Sequence, residues 1–416
     1  MIATIEIVLA AIFGFFLLYL AMLSVLALVA RKRSTMRSSR YRKMAVIVPA
    51  HNEESGIERT VRSLLAVEFP RGSFDVIVIA DNCTDRTVEV ARRFGATVYE
   101  RQNPKLRGKG YALNWCFSRL LTERAGYEAM IVVDADSVVS TNLLSVMNLY
   151  LERGAQAVQC SDMVEPVASS WSSEVTQIGF TLYNYTRPLG RRVIGCSAGL
   201  RGNGMCFAAS TLRSVPWEAS SLAEDLEYGL ELLLHGVTVA FAPEAAVYSP
   251  MPQSASYAES QRARWEVGRL PLIRKYAGKL LRATFRHFSF RPFDAFVDLL
   301  TPPLVNLLIG VVLMLVLNLL FGTLGFADAS RFAWMWLILI GLAVFHVIVG
   351  LVAARANRLT YKALFYIPRY ALWKVLLYAK LLRHGQTRVW VRTTRDPSVV
   401  RPAEGEANRG RVRLHD

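Results

Sequence analysis

The chain has 416 residues, of which 53% are hydrophobic and 20% are charged, and its formal net charge is +16. This composition excludes a disordered polymer, a collagen, a coiled coil and a disulfide-stabilised secreted module. The five cysteines form no CxxC pair and have no histidine at zinc-ligand spacing, so we expect reduced and mostly buried thiols. The length predicts two or three folding units.

Three apolar segments predict membrane-spanning helices. The first covers residues 1–30, where positions 5–30 contain one acid, Glu6, and no base. A helix of this length crosses a bilayer of about 30 Å, whereas a signal peptide would begin with basic residues and have a shorter apolar core. The other two segments are residues 301–323 and 332–354. A buried core helix is the alternative interpretation of each segment.

Basic residues beside these segments predict their orientation. Residues 31–43 form a linker with seven bases and no acid, and residues 355–416 contain fourteen bases and four acids, so the rest of the chain is nearly neutral. Because basic residues accumulate on the cytosolic side, we expect a multi-pass protein of the inner (plasma) membrane with its N-terminus outside and residues 44–300 in the cytosol. The near-neutral soluble part argues against nucleic-acid binding, which requires a basic face there.

Two further segments predict contact with the membrane surface. Residues 271–300 are expected to form an interface segment before the second span. In residues 360–385, five bases interrupt an aromatic and leucine-rich sequence, which favours an amphipathic interface helix with a kink near Pro368. A short fourth span is the alternative, but each charge in hydrocarbon costs several kcal/mol. Residues 386–416 are expected to be a basic cytosolic tail.

Between residues 44 and 270, short apolar runs alternate with helical stretches. The predicted strands cover residues 44–49, 74–80, 96–100 and 129–136. The predicted helices between them cover residues 55–67, 85–94 and 109–122. This alternation predicts an α/β domain with a mostly parallel sheet, whose ligands bind at the carboxyl ends of the strands. The phosphate-binding patterns GxxxxGK[ST] and GxGxxG are missing, so we expect a metal ion to hold the phosphates of a bound nucleotide.

Acidic residues follow two of the predicted strands. Asp134 and Asp136 flank Ala135 at the end of the fourth strand, and in an extended stretch side chains two residues apart share a face. Two such carboxylates favour a bound Mg²⁺ or Mn²⁺, with a turn or a helix cap as the alternative. Asp81 ends the second strand, where a nucleoside would bind, whereas Asp85 is better explained as a cap of the next helix.

Two later motifs have a chemical and a structural interpretation. Glu224 and Asp225 begin a predicted helix, where acids complement the helix dipole, but Asp225 is also suited to deprotonate a hydroxyl acceptor. Further along, Arg264 would hold a diphosphate leaving group and Trp265 would stack on a sugar. The alternative for this second motif is a basic, aromatic helix on lipid headgroups. The spacing does not choose between these interpretations.

Taken in order, the motifs resemble those of the family 2 glycosyltransferases, in particular the membrane synthases of cellulose, hyaluronan, chitin and poly-N-acetylglucosamine. The likeness covers residues 44–270. The motifs are Pro49-Ala50-His51-Asn52-Glu53-Glu54, Asp81, Lys109-Gly110-Tyr111-Ala112-Leu113-Asn114, Asp134-Ala135-Asp136, Glu224-Asp225 and Gln261-xx-Arg264-Trp265. The resemblance implies a GT-A fold and an enzyme that transfers a sugar, with inversion, from a nucleotide-diphosphate sugar such as a UDP-sugar to a hydroxyl.

The resemblance also implies a role for each residue of these motifs. Asp225 would be the catalytic base, Trp265 and Glu224 would bind the acceptor, and Asp136 and Asp134 would bind Mg²⁺ or Mn²⁺. The donor-binding residues would be Pro49, Ala50, Asn52, Glu53, Asp81, Lys109, Asp134, Gln261 and Arg264. The stretch Gly202–Phe207 resembles the loop that meets the acceptor, although a plain turn explains it equally well.

The implied partners are the nucleotide-sugar donor, a growing glycan or glycolipid acceptor, the lipid bilayer, and export or assembly proteins. The resemblance favours a β-linked exopolysaccharide as the product. The sequence departs from these synthases in two ways, and an alternative therefore stays open. It has only three predicted spans, and Ala223 stands where a threonine often precedes the acid pair. That alternative is a non-processive enzyme that adds one sugar to a polyprenyl-diphosphate-linked or other glycolipid acceptor. A non-catalytic membrane subunit or transporter is a third hypothesis, and the intact acidic motifs argue against it.

Overall fold

The computed structural model describes residues 2–30, 38–123, 126–165, 171–250, 255–324 and 329–384, without the side chains of residues 2, 172–173, 255–267, 329–330, 359 and 377–384. Its centre is a mixed eight-stranded sheet with the strand order β3-β2-β1-β4-β7-β6-β8-β5. The strands are β1 (Met44–Ala50), β2 (Phe74–Asp81), β3 (Thr97–Arg101), β4 (Ala129–Val132), β5 (Val138–Val139), β6 (Ala157–Val164), β7 (Met205–Ala208) and β8 (Val239–Ser249).

Six of these strands run in one direction, and β5 and β7 run in the other. The predicted α/β domain with a mostly parallel sheet is therefore confirmed. Strand β1 is a continuous apolar run because both faces of the sheet are covered. Val46 and Val48 belong to the core on one face, and Ala45 and Ile47 belong to the core on the other.

The helices of the soluble part connect and cover the strands. They are α2 (Ile57–Leu65), α3 (Thr87–Arg93), α4 (Lys109–Thr122), α5 (Leu143–Glu152), α6 (Trp171–Phe180), α7 (Arg187–Val193), α8 (Ala209–Ser214) and α9 (Glu224–Leu234). A π-helical turn, Thr181–Thr186, joins α6 to α7. Helices α2 and α3 each begin two residues later than predicted. All five cysteines are free and four are buried, as expected.

Three described helices are long and apolar enough to cross a membrane: α1 (Ile2–Val29), α12 (Leu304–Thr323) and α13 (Ala329–Ala353). Helices α10 (Ala255–His287) and α11 (Phe290–Leu300) lead from the sheet to α12. After α13 come α14 (Arg358–Lys362), a 3₁₀ segment (Ala363–Tyr366) and α15 (Ile367–His384). Pro368 lies in the first turn of α15, directly after the 3₁₀ segment, where its missing N–H breaks no helical hydrogen bond.

The apolar helices pack directly against the sheet-containing part of the molecule. A Cβ on Gly190 would collide with the carbonyl oxygen of Leu23, so a glycine is required where α7 crosses α1. A Cβ on Gly350 would lie 2.5 Å from Leu182 Cδ2, which shows an equally close approach of α13 to the π-helical turn. Ala27 of α1 belongs to one of the two cores of the sheet.

Buried charges stabilise this contact. Arg191 donates to Asp294 Oδ2 at 2.7 Å and to Asp298 Oδ2 at 3.0 Å, and Arg187 donates to Asp298 Oδ1 at 3.0 Å. Tyr19 of α1 donates to Asp294 Oδ1 at 2.9 Å. Burial favours the neutral acid, but the two arginines hold the pKa of Asp298 well below its usual range. We call these five residues the junction cluster, because they join α1, α7 and α11.

Candidate active site

The two aspartates of the DxD motif lie at the carboxyl edge of the sheet. Strand β4 ends at Val132, and a hydrogen bond of 3.1 Å from the Ser137 N–H to the Asp134 carbonyl closes a turn. The extended geometry expected for this motif is therefore wrong. Asp134 and Asp136 are both half-buried while Ala135 between them is buried, so the two carboxylates still lie on the exposed side of the chain.

Lys109 connects the DxD motif to the loop that begins at Gly202. Its Nζ donates to Asp134 Oδ1 and, at 2.6 Å, to the carbonyl oxygen of Gly202. Burial disfavours the ammonium, but Asp134 and Glu224 raise the net pKa of Lys109. Both partners of the ion pair are partly exposed, Lys109 by 22% and Asp134 by 37% of its side chain. A diphosphate at this edge of the sheet would therefore reach the ammonium.

Asp225 lies on the other side of the same loop. Gly202 has a φ of +84°, and a Cβ there would lie 3.3 Å from Asp225 Oδ2 and 3.8 Å from Lys109 Nζ. The structure thus brings Lys109, Asp134 and Asp225 together, although they are far apart in the sequence. The glycine is needed both for the left-handed backbone and for the space beside the carboxylate.

The two acids at the start of α9, Glu224 and Asp225, both have raised pKa values. Burial and the neighbouring Asp225 raise the pKa of Glu224 to about 7. Burial also raises the pKa of Asp225, and the positive charges of Lys109 and Arg201 oppose that effect. A general base works best when its pKa lies near the operating pH. The helix predicted to begin at Glu224 is confirmed.

Asp81 lies at the end of β2, but its carboxylate is buried in an ion pair. Arg101 Nη1 donates to Asp81 Oδ1 at 2.5 Å, and the Asn82 amide donates to the same oxygen at 2.9 Å. An open pocket beside this pair is lined by residues that include Arg101, Tyr111 and Asn114. Sequence reasoning missed Arg101, although it is the last residue of β3 and pairs in register with Asp81.

The loop after β1 is fastened to the loop after β2. Pro49 and Ala50 are the last residues of β1, half-buried and buried respectively. Asn52 has a left-handed φ of 56°, and its Oδ1 accepts from the N–H of Thr84 at 2.8 Å. The N–H of Glu53 donates to Thr87 Oγ1 at 2.7 Å. These donor-binding candidates therefore form one wall beside Asp81.

Asp85 has the capping role expected for it. Its Oδ1 accepts from the N–H of Thr87 at 3.0 Å, at the first residue of α3, and its Oδ2 accepts from the N–H of Glu54 at 3.1 Å. This carboxylate therefore fixes the start of the helix and the loop after β1.

Gln261, Arg264 and Trp265 lie in α10, but their side chains are outside the described residues. The backbone of α10 runs beside α9: a Cβ on Gly268 would lie 3.4 Å from the Cβ of Ala223. Further along, Lys275 donates to Glu227 at 2.6 Å and Tyr276 donates to Glu231 at 2.5 Å. The helix that carries the motif is therefore packed against the helix that begins with Glu224 and Asp225.

Sequence reasoning missed two charged residues of this region. Asp162 lies near the carboxyl end of β6, which runs in the same direction as β4, and only 6% of it is exposed. Arg201 precedes the loop glycine, and its side chain stacks on Tyr183 with 4.3 Å between guanidinium carbon and ring centroid. The strand-end rule that found Asp81 would also have found Asp162 had β6 been predicted.

The DxD carboxylates fit a hard divalent cation. Asp134 and Asp136 present oxygen atoms on the exposed side of their turn, and Mg²⁺ and Mn²⁺ take oxygen ligands. No group of three histidine, cysteine, aspartate or glutamate side chains gathers into a metal site within the described part of the chain. A cation bound here would therefore take its remaining ligands from water and from the phosphates of a substrate, as Mg²⁺ commonly does.

Carboxylates at the carboxyl edge of a mixed, mostly parallel sheet are compatible with a transferase that uses a nucleotide sugar. The family model described as "Glycosyltransferase like family 2" matches residues 42–268, so the chain belongs to glycosyltransferase family 2. The predicted family and enzyme class are therefore confirmed.

Curated relatives match over the same region. The chain is 24% identical over 263 residues to the "Probable glycosyltransferase YdaM" of Bacillus subtilis, which covers 61% of each protein. It is 27% identical to the "Beta-monoglucosyldiacylglycerol synthase" of a Nostoc species, over 54% of this chain and 48% of the relative. It is 23% identical to the "Poly-beta-1,6-N-acetyl-D-glucosamine synthase" of Staphylococcus epidermidis, over 54% of each. The matches thus span about half to three-fifths of these relatives.

A solved structure shows the same fold over a longer stretch. The mannosyltransferase PcManGT from Pyrobaculum calidifontis, in complex with GDP-Man and Mn²⁺, superposes with a TM-score of 0.56 at 17% identity. The alignment covers 83% of this chain and 98% of that one. The GT-A-like fold, predicted from the resemblance, is confirmed by this match.

Proposed function

We propose that this family 2 glycosyltransferase transfers a sugar from a UDP-sugar, with inversion, to a hydroxyl acceptor at the cytosolic face of the plasma membrane. The observation that carries the proposal is the meeting of Lys109, Asp134 and Asp225 around Gly202 at the carboxyl edge of the sheet. This arrangement provides a cation for a leaving diphosphate beside a carboxylate base. The orientation follows from the basic residues in 31–43 and 355–416.

The donor side of the site would hold the nucleotide diphosphate. Asp134 and Asp136 would bind Mg²⁺ or Mn²⁺, which supplies charge neutralisation for the phosphates when bound. Lys109 would exchange its bond to Asp134 for phosphate oxygens, and Arg264 would approach from α10. Asp81 would bind the nucleoside together with the loop of Asn52 and Glu53. Three further residues would also contact the nucleoside: Pro49, Ala50 and Gln261.

The acceptor side would carry out the proton transfer. Asp225 accepts the proton of the acceptor hydroxyl while that oxygen bonds to the anomeric carbon and the bond to the diphosphate breaks. The electron pair of the broken bond leaves with the nucleotide diphosphate, whose charge Lys109 stabilises. One displacement inverts the anomeric carbon and requires no covalent enzyme intermediate. Trp265 and Glu224 would contact the acceptor.

Two acceptors are proposed, and a relative supports each. A growing β-linked exopolysaccharide is supported by the likeness to the staphylococcal poly-N-acetylglucosamine synthase. The second is a glycolipid or other lipid-linked acceptor that receives one sugar, and the likeness to the β-monoglucosyldiacylglycerol synthase, whose name gives a glycolipid as its product, supports the transfer of one sugar at a lipid. Both suit a sheet-containing part that packs against the apolar helix α13, where Thr186 Oγ1 donates to the Gly350 carbonyl at 2.9 Å. The products distinguish them, as a long polymer or a single added sugar.

The test uses the full chain in lipid nanodiscs, with UDP release measured across a panel of UDP-sugars and Mg²⁺ or Mn²⁺. We expect release with one donor, complete loss with a chelator, and a loss of at least a hundredfold in Asp225→Asn, because general acid–base catalysis by a positioned side chain is worth about 10²–10⁴. The variant should still bind UDP, as measured by calorimetry.

Asp75→Asn is the matched control. Asp75 lies on β2 away from the carboxyl edge, and its carboxylate accepts from Tyr127 at 2.7 Å. Its activity should equal that of the wild type. Normal turnover by Asp225→Asn would overturn the proposed function. The absence of turnover in the wild type with every donor would favour the non-catalytic alternative.

A further inference from the structure

Asp162 is a buried acid at the candidate active site without an assigned role. Strand β6 is antiparallel to β7, and β7 is antiparallel to β4, so the end of β6 lies at the same edge as the DxD motif. A register shift between Cys160 and Ser161 lets the last residues of β6 follow β8 in a new alignment. Irregularities of this kind are common beside active sites.

The charges around Asp162 are those of the site. Burial raises the pKa of this carboxyl well above its usual range, and the negative charges of Asp134, Asp136 and Asp225 add to that effect. Lys109 acts in the opposite direction. Asp162 thus lies near the cation-binding carboxylates and the base, at the same edge of the sheet. A buried carboxyl beside like charges is costly, so its presence calls for a hydrogen-bonding partner that compensates.

Asn184 of the π-helical turn fixes this carboxyl. Its Nδ2 donates to the Asp162 carbonyl at 3.1 Å and to Asp162 Oδ2 at 3.2 Å, and only 5% of Asn184 is exposed. The wider π geometry shifts side chains relative to the α-helices on either side, and such turns are frequent at functional sites. The turn therefore presents Asn184 to the sheet edge.

The same turn connects the site to an apolar helix. Tyr183 stacks between the guanidinium groups of Arg201 and Arg187, whose carbons lie 4.3 and 4.9 Å from the ring centroid. Thr186 donates to the Gly350 carbonyl of α13 at 2.9 Å. One side of the turn thus lies against a helix fit to span the membrane, and the other reaches Asp162.

We propose that Asp162, fixed by Asn184, binds a second hydroxyl of the acceptor, next to the hydroxyl that Asp225 deprotonates. This inference rests on the proposed function and narrows its substrate class. Two carboxyls at one edge of the sheet select an acceptor with neighbouring hydroxyls, which is the sugar end of a glycan or glycolipid. A lipid with a single hydroxyl, such as diacylglycerol, offers Asp162 nothing to bind.

The test compares wild type and Asp162→Asn as full chains in nanodiscs. The acceptor probes are n-octyl β-glucoside, which has neighbouring hydroxyls, and dioleoylglycerol, which has one. Transfer is the sugar incorporated into octyl glucoside or into polymer, and donor hydrolysis is measured without acceptor. We expect at least a tenfold fall in transfer for Asp162→Asn, with donor hydrolysis and UDP affinity within twofold of the wild type. The asparagine keeps the volume and an oxygen for Asn184, so the fold should be retained.

Two further variants separate binding from structure. Asn184→Ala should reduce transfer about threefold, because it removes the group that orients Asp162 but leaves the carboxyl. Ser161→Ala is the matched control on the same strand: the Ser161 hydroxyl is buried and has no hydrogen-bond partner among the residues that the structure describes, so transfer should be unchanged. Melting temperatures of all variants show whether a loss of transfer reflects unfolding.

Three results would overturn the inference. The first is an unchanged ratio of transfer to hydrolysis in Asp162→Asn. The second is a fall in its affinity for UDP with Mn²⁺, which would make Asp162 a donor or metal ligand. The third is a wild type that uses dioleoylglycerol but neither octyl glucoside nor a growing polymer. A wild type that turns over no donor would overturn the proposed function, and this inference with it.

Discussion

Arginine and aspartate side chains are buried together at two places, the Asp81–Arg101 pair at the sheet edge and the junction cluster beside α1. In the junction cluster each carboxylate accepts from two different side chains, and the residues come from three helices. At the edge, Asp81 pairs with Arg101, and Arg101 lines an open pocket. The comparison teaches that burial of a charge pair does not by itself identify a site, and that the size of the open space beside the pair separates the two places: about 390 Å³ beside Arg101 and about 20 Å³ beside Arg191 and Asp298.

The largest effect is expected in the junction cluster. Arg191→Met removes the guanidinium that Asp294 and Asp298 share, and breaking a buried ion pair costs about 3–5 kcal/mol. Thermal unfolding in detergent should show this loss of stability. Arg192→Met on the same helix is the control, because the ion pair of Arg192 with Glu244 is long, at 3.6 Å, and should contribute little. Equal melting of the two variants would contradict the structural role of the cluster.

Removal of one charge from the Asp81–Arg101 pair at the sheet edge should reduce the affinity for UDP. Asp81→Asn keeps the shape of the side chain but removes the charge that faces Arg101. We expect UDP affinity to fall about tenfold, or about 1.4 kcal/mol, with a smaller loss of stability than in Arg191→Met. Calorimetry with UDP measures the effect, and Asp75→Asn on the same strand is again the control. Wild-type affinity in Asp81→Asn would remove this pair from the donor site.

A substitution of Gly202 tests whether the space beside Asp225 at the sheet edge is needed for turnover. Gly202→Ala places an alanine in a left-handed conformation, which costs about 1–2 kcal/mol, and its Cβ would press on Asp225. Gly195→Ala is a matched control, since Gly195 also has a positive φ, of +70°, but its Cβ would meet nothing within 4 Å. Both variants should lose similar stability, and only Gly202→Ala should lose turnover. Equal turnover would show that the space beside Asp225 is unimportant.

The smallest effect concerns pH. The arginines keep Asp298 ionised, so the junction cluster should not titrate near neutrality, whereas the pKa of Glu224 is about 7. Activity should rise with pH as Asp225 loses its proton. Glu224→Gln removes a neighbouring negative charge, which makes that ionisation easier and moves the rising limb of the pH–rate profile to lower pH. An unshifted limb, or a shift to higher pH, would argue against Asp225 as the base.

The sequence predicts those parts of the molecule that depend on local pattern. Apolar runs between helices predicted β1, β2 and β4, and the strand ends then led to Asp81 and the DxD motif. Arg101 and Asp162 were missed because their roles depend on which strands become neighbours. The antiparallel β7 separates β4 from β6, and the local sequence pattern does not predict this order of strands in the sheet.

The junction cluster escaped prediction for a related reason. Arg191 and Asp294 are 103 residues apart in the chain, and charged residues on helices usually indicate a solvated face. Only the packing of α7 and α11 against α1 reveals their burial. Asp225 is an intermediate case, since its helix was predicted but its approach to Lys109 depends on the fold of the loop around Gly202.

The packing of α1 has a further consequence. Its C-terminal half contributes Ala27 to a core of the sheet and Leu23 to the crossing with Gly190. In the proposed topology, α1 would therefore hold the sheet edge at a fixed height and tilt relative to the lipid instead of acting as a flexible tether. Such an arrangement would select acceptors by how far their reactive hydroxyl projects from the bilayer. A truncated protein that begins at β1 would lose this fixed reach and expose apolar surface on two sides.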